Sequence, residues 1–268
     1  MRFSLLGPLR VEHEDNRIDV GGGKLHVVLT ALILARTKVV STDRLVELIW
    51  AGDPPAKPYV TARSYISNLR RILEPDRGAG DRRTLLVTRS PGYALDVPAD
   101  AVDAFLFERD LANGTALFDQ HRFDESLVAI DDGLGRWNSD DLTDSPLSTF
   151  GSEADRLLEL RRQAVGLRFD ALLETGRHLD AIPDLRSLVD ADATGERHRA
   201  QLMLGLYRAG RPADAIDVHQ AGVRATIDAT GLDASPALAE LERRILNNDP
   251  ALDWMPKQAV TSAPVPTR

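Results

Sequence analysis

Apolar positions recur with the spacing of a helix over most of this chain, and with strand-like spacing only in short stretches of its first hundred residues. The stretch Pro58–Leu73, PYVTARSYISNLRRIL, is the most informative. At about 100° per residue, Ala62, Tyr65, Ile66, Leu69 and Leu73 share one side. Val60, Ser64, Ser67 and Arg71 fall opposite, with Arg63 and Arg70 on one flank and Thr61 and Asn68 on the other. Pro58 suits a first helical position, because its ring fixes φ and its missing N–H would be unpaired there. The pattern predicts a helix with one face for a core and an outer face that is small, polar and cationic. Base edges and phosphates require such a face, although an ordinary basic surface helix would share the pattern.

The flanking segments give this helix a context. Met1–Val11 and Ile18–Val20 read as two short strands joined by a polar turn at Glu12–Arg17. Leu25–Arg36 reads as a largely buried helix and Val39–Val40 as a short strand. Ser41 or Thr42 caps the next helix, with Asp43 in its first turn and Leu45, Val46, Leu48, Ile49 and Trp50 on its inner side. Gly52-Asp53-Pro54-Pro55 ends that helix in a stiff loop. After Glu74-Pro75 and a loop rich in Arg and Gly, Leu85–Arg89 and Tyr93–Val97 form a hairpin around Ser90-Pro91-Gly92, with Tyr93 read as core at its base. A helix-turn-helix followed by a hairpin is a winged helix, and Arg82, Arg83 and Arg89 place charge at the hairpin, within reach of phosphates or a minor groove.

The second half repeats itself. Gly176-Arg177-His178-Leu179-Asp180-Ala181-Ile182 recurs as Gly210-Arg211-Pro212-Ala213-Asp214-Ala215-Ile216, offset by 34 residues, the period of tetratricopeptide helix pairs. His121-Arg122-Phe123-Asp124-Glu125-Ser126-Leu127 is a weaker copy 55 residues before Gly176, the extra length lying around Trp137–Thr149. In the two close copies Gly turns the chain, and Ala-Ile allows close approach of the second helix. Helices are expected near 103–118, 123–135, 149–175, 178–190, 195–209, 212–229 and 236–246. The fold class is therefore mainly α with a small α+β part: a winged helix-turn-helix over residues 1–98, an all-α tetratricopeptide-like domain over 99–249, and a mobile, proline-rich tail over 250–268.

Net charge alone, −8, speaks against nucleic acid, but its distribution does not. Residues 1–97 hold 15 Lys and Arg against 11 Asp and Glu, a net of +4, which leaves −12 for the remainder. Within 57–89 there are 8 basic and 3 acidic residues, a local +5 suited to a polyanion. The chain has no cysteine, so disulfides and thiolate chemistry are excluded. Its longest apolar stretch, Leu25–Ala35, is far below the ~20 residues that span a bilayer, and the N-terminus meets Glu12, Glu14 and Asp15 in place of a secretion signal. A soluble cytoplasmic protein of the bacterial nucleoid, without a membrane partner, is expected.

Other chemistry is missing from the pattern. Gly21-Gly22-Gly23-Lys24 lacks the spacing of a phosphate loop, since Leu25 follows the lysine; it reads as a flexible lead-in to a helix. The six histidines are scattered without a zinc-binding spacing. No nucleophile elbow surrounds any serine. Asp131-Asp132 and Asp140-Asp141 read as solvated carboxylates, and Trp137 and Trp254 as packing anchors. No catalytic residue, metal site or cofactor is expected, and the chain does not read as an enzyme.

The run from LxxLIWxGDPP through YISNLRRIL to VTRSPGYAL resembles the winged-helix domain of OmpR-type response regulators. It resembles more closely the Streptomyces antibiotic regulatory protein (SARP) family, in which that domain precedes a bacterial transcriptional activation domain of tetratricopeptide-like helices. The resemblance covers Met1 to about Pro250. His26 and Asn68 depart from it, standing where the family commonly has a Lys-Gln-Arg run and an arginine. It implies a sequence-specific transcriptional activator of a secondary-metabolite (antibiotic) gene cluster that binds promoter direct repeats, as a homodimer on double-stranded DNA, and recruits RNA polymerase. DNA contact is expected of Arg63, Ser64, Ser67, Asn68, Arg70, Arg71, Arg82, Arg83 and Arg89, and polymerase contact of the loop Asp53, Pro54 and Pro55. The chain stops where longer relatives carry an ATPase module, so no nucleotide dependence is expected. The competing reading is a helical-repeat adaptor that binds only protein; the basic segment 57–89 speaks against it.

Overall fold

The computed structural model describes residues 1–75, 85–231 and 235–255. Two compact units emerge, one built from Met1–Ala112 and Asp131–Arg162, the other from Asn113–Ile130 and Gln163–Arg268. The first unit thus extends beyond residue 98.

The first unit opens with β1 (Arg2–Ser4), β2 (Arg10–His13) and β3 (Asn16–Ile18), a three-stranded antiparallel sheet. The single strand expected over Met1–Val11 is therefore two. Gly7, at φ 141°, together with Pro8 breaks it, and the turn brings Phe3 opposite Val11. Helices α1 (Lys24–Leu34), α2 (Thr42–Trp50) and α3 (Pro58–Leu73) follow, with β4 (Val40–Ser41) before α2. Ser41 is the cap of α2, its hydroxyl accepting the Arg44 N–H at 3.1 Å. Strands β5 (Leu86–Arg89) and β6 (Gly92–Leu95) form the hairpin, and the sheet order is β4-β6-β5. Tyr93 is buried, as expected.

Helices α4 (Asp103–Asp119), α5 (Phe123–Leu134) and α6 (Gly151–Glu174) come next. Asp103 at the start of α4 holds the first unit together. Its carboxylate accepts the N–H groups of Leu5 at 2.7 Å and Leu6 at 3.1 Å. Burial pushes this carboxyl above its ordinary range, while those N–H donors, that of Ala104 and the Arg136 charge oppose the rise. Leu5 O accepts from the Ser145 hydroxyl at 2.6 Å and Leu6 O from Asn138 N at 2.8 Å, so the backbone polar groups of this buried turn are satisfied. Trp137 is a packing anchor: Phe107 meets it edge-on at 5.3 Å and the Arg161 guanidinium lies 5.1 Å from its ring centre.

In the second unit α7 (His178–Ala191), α8 (Glu196–Arg208), α9 (Pro212–Thr230) and α10 (Pro236–Leu246) lie close to their expected limits. The repeat has a physical signature in all three copies. Gly176 and Gly210 adopt φ 77° and 74°, and His121 takes the same left-handed place at 59°. The next residue, an arginine each time, donates its N–H to the carbonyl five residues earlier: Arg122 to Leu117, Arg177 to Leu172, Arg211 to Leu206. Its guanidinium then pairs with the acid three residues on, Glu125, Asp180 or Asp214, at 2.7, 2.9 and 2.6 Å. The small residue that follows, Ser126, Ala181 or Ala215, is fully buried.

The tail does not begin at Pro250: Pro250–Leu252 form a 3-10 turn, Leu252 is buried, and the Trp254 indole N–H donates to Glu174 O at 2.9 Å over the bare face of Gly176. A tryptophan and a leucine outweigh the local proline signal by docking on the last helix pairs. Residues 256–268 lie outside the described residues.

Gly92 is the position where β6 lies tightest against β4. A Cβ there would overlap Val40 O and stand 2.7 Å from Ser41 Cα. Gly92→Ala should therefore force β4 off β6 and lower unfolding free energy by at least about 2 kcal/mol. Gly22→Ala, with nothing within 4 Å of the added carbon, should stay within about 0.5 kcal/mol of the parent in the same urea titration.

Candidate nucleic-acid interface

Helix α3 packs on α1 and α2. It buries Ala62, Ile66, Leu69 and Leu73, the stripe its periodicity defines; Tyr65 is half-buried, 6.4 Å from the Trp50 ring. Burying that stripe turns the opposite face outward. Val60, Arg63, Ser64, Ser67 and Arg71 are all exposed, and Val60 retains 59% of its surface. An aliphatic side chain presented among polar ones can meet a thymine methyl group.

The outer face is only partly self-satisfied. The Ser64 hydroxyl donates back to Val60 O at 3.1 Å, and Arg71 donates to the Asn68 side-chain oxygen at 2.7 Å. Arg63 has no ion-pair partner among the described residues. Ser64, Ser67, Asn68, Arg70, Arg71 and Glu74 border one open cleft of about 700 Å³. The structure thus brings together six of the nine residues expected to contact DNA, Arg63 joining this set on the same helix. Arg89 is exposed at the end of β5, on the hairpin. Arg82 and Arg83 lie outside the described residues.

Arg70 departs from its expected use. Its Nε donates to Leu86 O at 3.0 Å and its Nη2 to the Thr88 hydroxyl at 2.8 Å, with the guanidinium 5.7 Å from the Tyr93 ring centre. Arg70 therefore ties α3 to β5 and fixes where the hairpin stands. Sequence spacing put it on the flank of the outer face, but only strand pairing could reveal the carbonyl it reaches. Tyr59, which periodicity did not single out, is half exposed, and a hydrogen bond to Asp43 raises its phenol pKa. That bond joins the first turns of α2 and α3. The loop between them turns through Ala51 at φ 47° and Gly52 at φ 101°, leaving Asp53, Pro54 and Pro55 exposed.

Residues 22–95 match the family model described as transcriptional regulatory protein, C terminal, and residues 102–246 match the bacterial transcriptional activator domain. The second match alone covers more than half of the chain. The chain belongs to the SARP family of transcriptional regulators. Both matched models describe transcriptional regulators. The regulatory protein AfsR of Streptomyces griseus is 33% identical over 252 residues, covering 94% of this chain and 25% of AfsR. The chain spans about a quarter of the length of that relative. The regulatory protein DnrI of Streptomyces peucetius is 29% identical over 94% of both chains. Among solved structures, Mycobacterium tuberculosis EmbR in complex with a low-affinity phosphopeptide aligns with a TM-score of 0.83 at 28% identity, covering 92% of this chain and 65% of that one. Among the described residues no helix is long and apolar enough to cross a membrane.

Arg70→Ala should free the hairpin without unfolding the domain. Loss of two hydrogen bonds, about 1–2 kcal/mol in all, should appear as faster amide exchange in β5 and β6 while the amides of α1 keep their protection. Uniform loss of protection across both would mean that Arg70 supports the whole core.

Proposed function

We propose that this chain is a sequence-specific DNA-binding transcriptional activator. The outer face of α3 carries this reading: cationic and small polar side chains on a helix whose apolar stripe is buried, placed as the second helix of a helix-turn-helix. Laid in a major groove, Arg63 and Arg71 reach base edges, with Ser64, Ser67 and Asn68 beside them. Arg89 meets a phosphate at the hairpin, joined by Arg82 and Arg83. Arg70 positions the hairpin and is assigned no base. The exposed loop Asp53-Pro54-Pro55 meets RNA polymerase. Residues 1–98 act as the DNA reader and residues 99–249 as the activation domain. Because one winged helix reads few base pairs, a specific promoter site requires two copies; on direct repeats the copies of a homodimer stand head to tail. Family membership supports control of an antibiotic gene cluster.

Base-reading and phosphate-contacting residues are separable by experiment. Arg63→Ala or Arg71→Ala should cost about 1–3 kcal/mol on a selected site and relax preference at one base pair. Arg89→Ala should instead weaken binding to all sequences alike and reduce the salt slope by about one. Selection from random sequences followed by salt-titrated mobility shifts reads both. Unchanged base preference in both α3 variants would refute the groove assignment.

The loop makes its own prediction. Asp53→Ala should leave the mobility shift unchanged and lower transcription by purified polymerase. Parallel loss of both activities would assign the loop to the fold alone.

A further inference from the structure

Helices α7, α8 and α9 of the second unit border an open cavity of about 630 Å³, within the ~300–1,000 Å³ range typical of small-molecule sites. Val189, Leu202, Val218 and Ala225 supply apolar wall. Arg199 also lines it, and with 1% of its surface exposed it is among the most buried large side chains in the protein. Its Nη2 donates to Ala193 O in the α7–α8 loop, while its Nε has no hydrogen-bond partner. No carboxylate among the described residues forms a salt bridge with it. Helix α9 makes room for the guanidinium with Gly222, where an added Cβ would overlap it.

A buried guanidinium without a counter-ion is costly, and protein interiors pair such charges. Asp192 feels the charge, but neither of its carboxylate oxygens comes within 4 Å of the guanidinium nitrogens, and its Oδ1 is occupied by the N–H groups of Thr194 and Gly195 and by the Thr194 hydroxyl. Arg211, another lining residue, is held by Asp214. The missing partner is therefore an anion entering from the cavity. The exposed carboxylates of Asp190 and Asp217 line the same space and oppose a dianion such as a phosphate monoester. We infer that this cavity binds a small organic monocarboxylate with an apolar body, its carboxylate seated on Arg199.

Decanoate, decanamide and decyl phosphate titrated calorimetrically into the full chain test this. Decanoate should bind saturably at one site, about tenfold or more tighter than decanamide and tighter than decyl phosphate. The Arg199 Nε–H resonance should shift with decanoate and saturate with the calorimetric affinity. Arg199→Gln should abolish the preference for the acid over the amide. Ala221→Trp, at an exposed lining position, should abolish binding while leaving Arg199 in place, and decides the matter if Arg199→Gln fails to fold. Equal binding of acid and amide, an unshifted Arg199 resonance, or no binding would overturn the inference and leave Arg199 as a latch on the α7–α8 loop. Tighter binding of decyl phosphate would overturn the carboxylate assignment.

Discussion

The burial of one stripe of α3 is the constraint on which the candidate interface depends. Ala62, Ile66, Leu69 and Leu73 leave water only when the helix lies on α1 and α2 in a single rotation. At about 25 cal/mol per Å² of apolar surface, turning that stripe outward would cost several kcal/mol. The orientation of Arg63, Ser67 and Arg71 is thus set by residues that touch no ligand. A cationic face held by packing needs no reorganisation when a polyanion arrives, which keeps the ordering cost of binding low.

The hairpin is fixed by different physics. Gly92 lets β6 lie close to β4, and Arg70 spans from α3 to Leu86 O and Thr88. One contact works by the absence of a side chain and the other by the reach of a long one. Together they join hairpin, short strand and helix, with Arg89 at the end of the strand that Arg70 grips. Asp103 does comparable work deeper in this unit by accepting two amides of the turn between β1 and β2.

The helix pairs of the second unit follow a local rule repeated three times. A left-handed residue ends one helix, the next residue's N–H reaches back five positions, and its guanidinium pairs three positions ahead. Where the first copy replaces glycine by His121, the left-handed conformation persists. The motif is therefore held by its hydrogen bonds and by the packing around it rather than by glycine alone. This explains how a copy weak in sequence adopts the same geometry.

The sequence by itself determined the periods, and from them the helices, their faces, the 34-residue repeat and the polarity of α3. These depend on neighbours three, four and seven residues apart, which a linear chain records directly. The division of Met1–Val11 into two strands was not legible, because Leu5 and Leu6 continue the apolar pattern while their amides turn to a carboxylate 98 and 97 positions away. Nor was the docking of Trp254, which depends on a bare glycine 78 positions earlier. Arg70 and Arg199 make the contrast sharpest. Both are arginines on amphipathic helices, and nothing local distinguishes them from Arg63 or Arg197. Tertiary structure alone decided that one grips a strand and the other is buried with no ion pair among the described residues, because each role is defined by groups that only folding brings within hydrogen-bond reach.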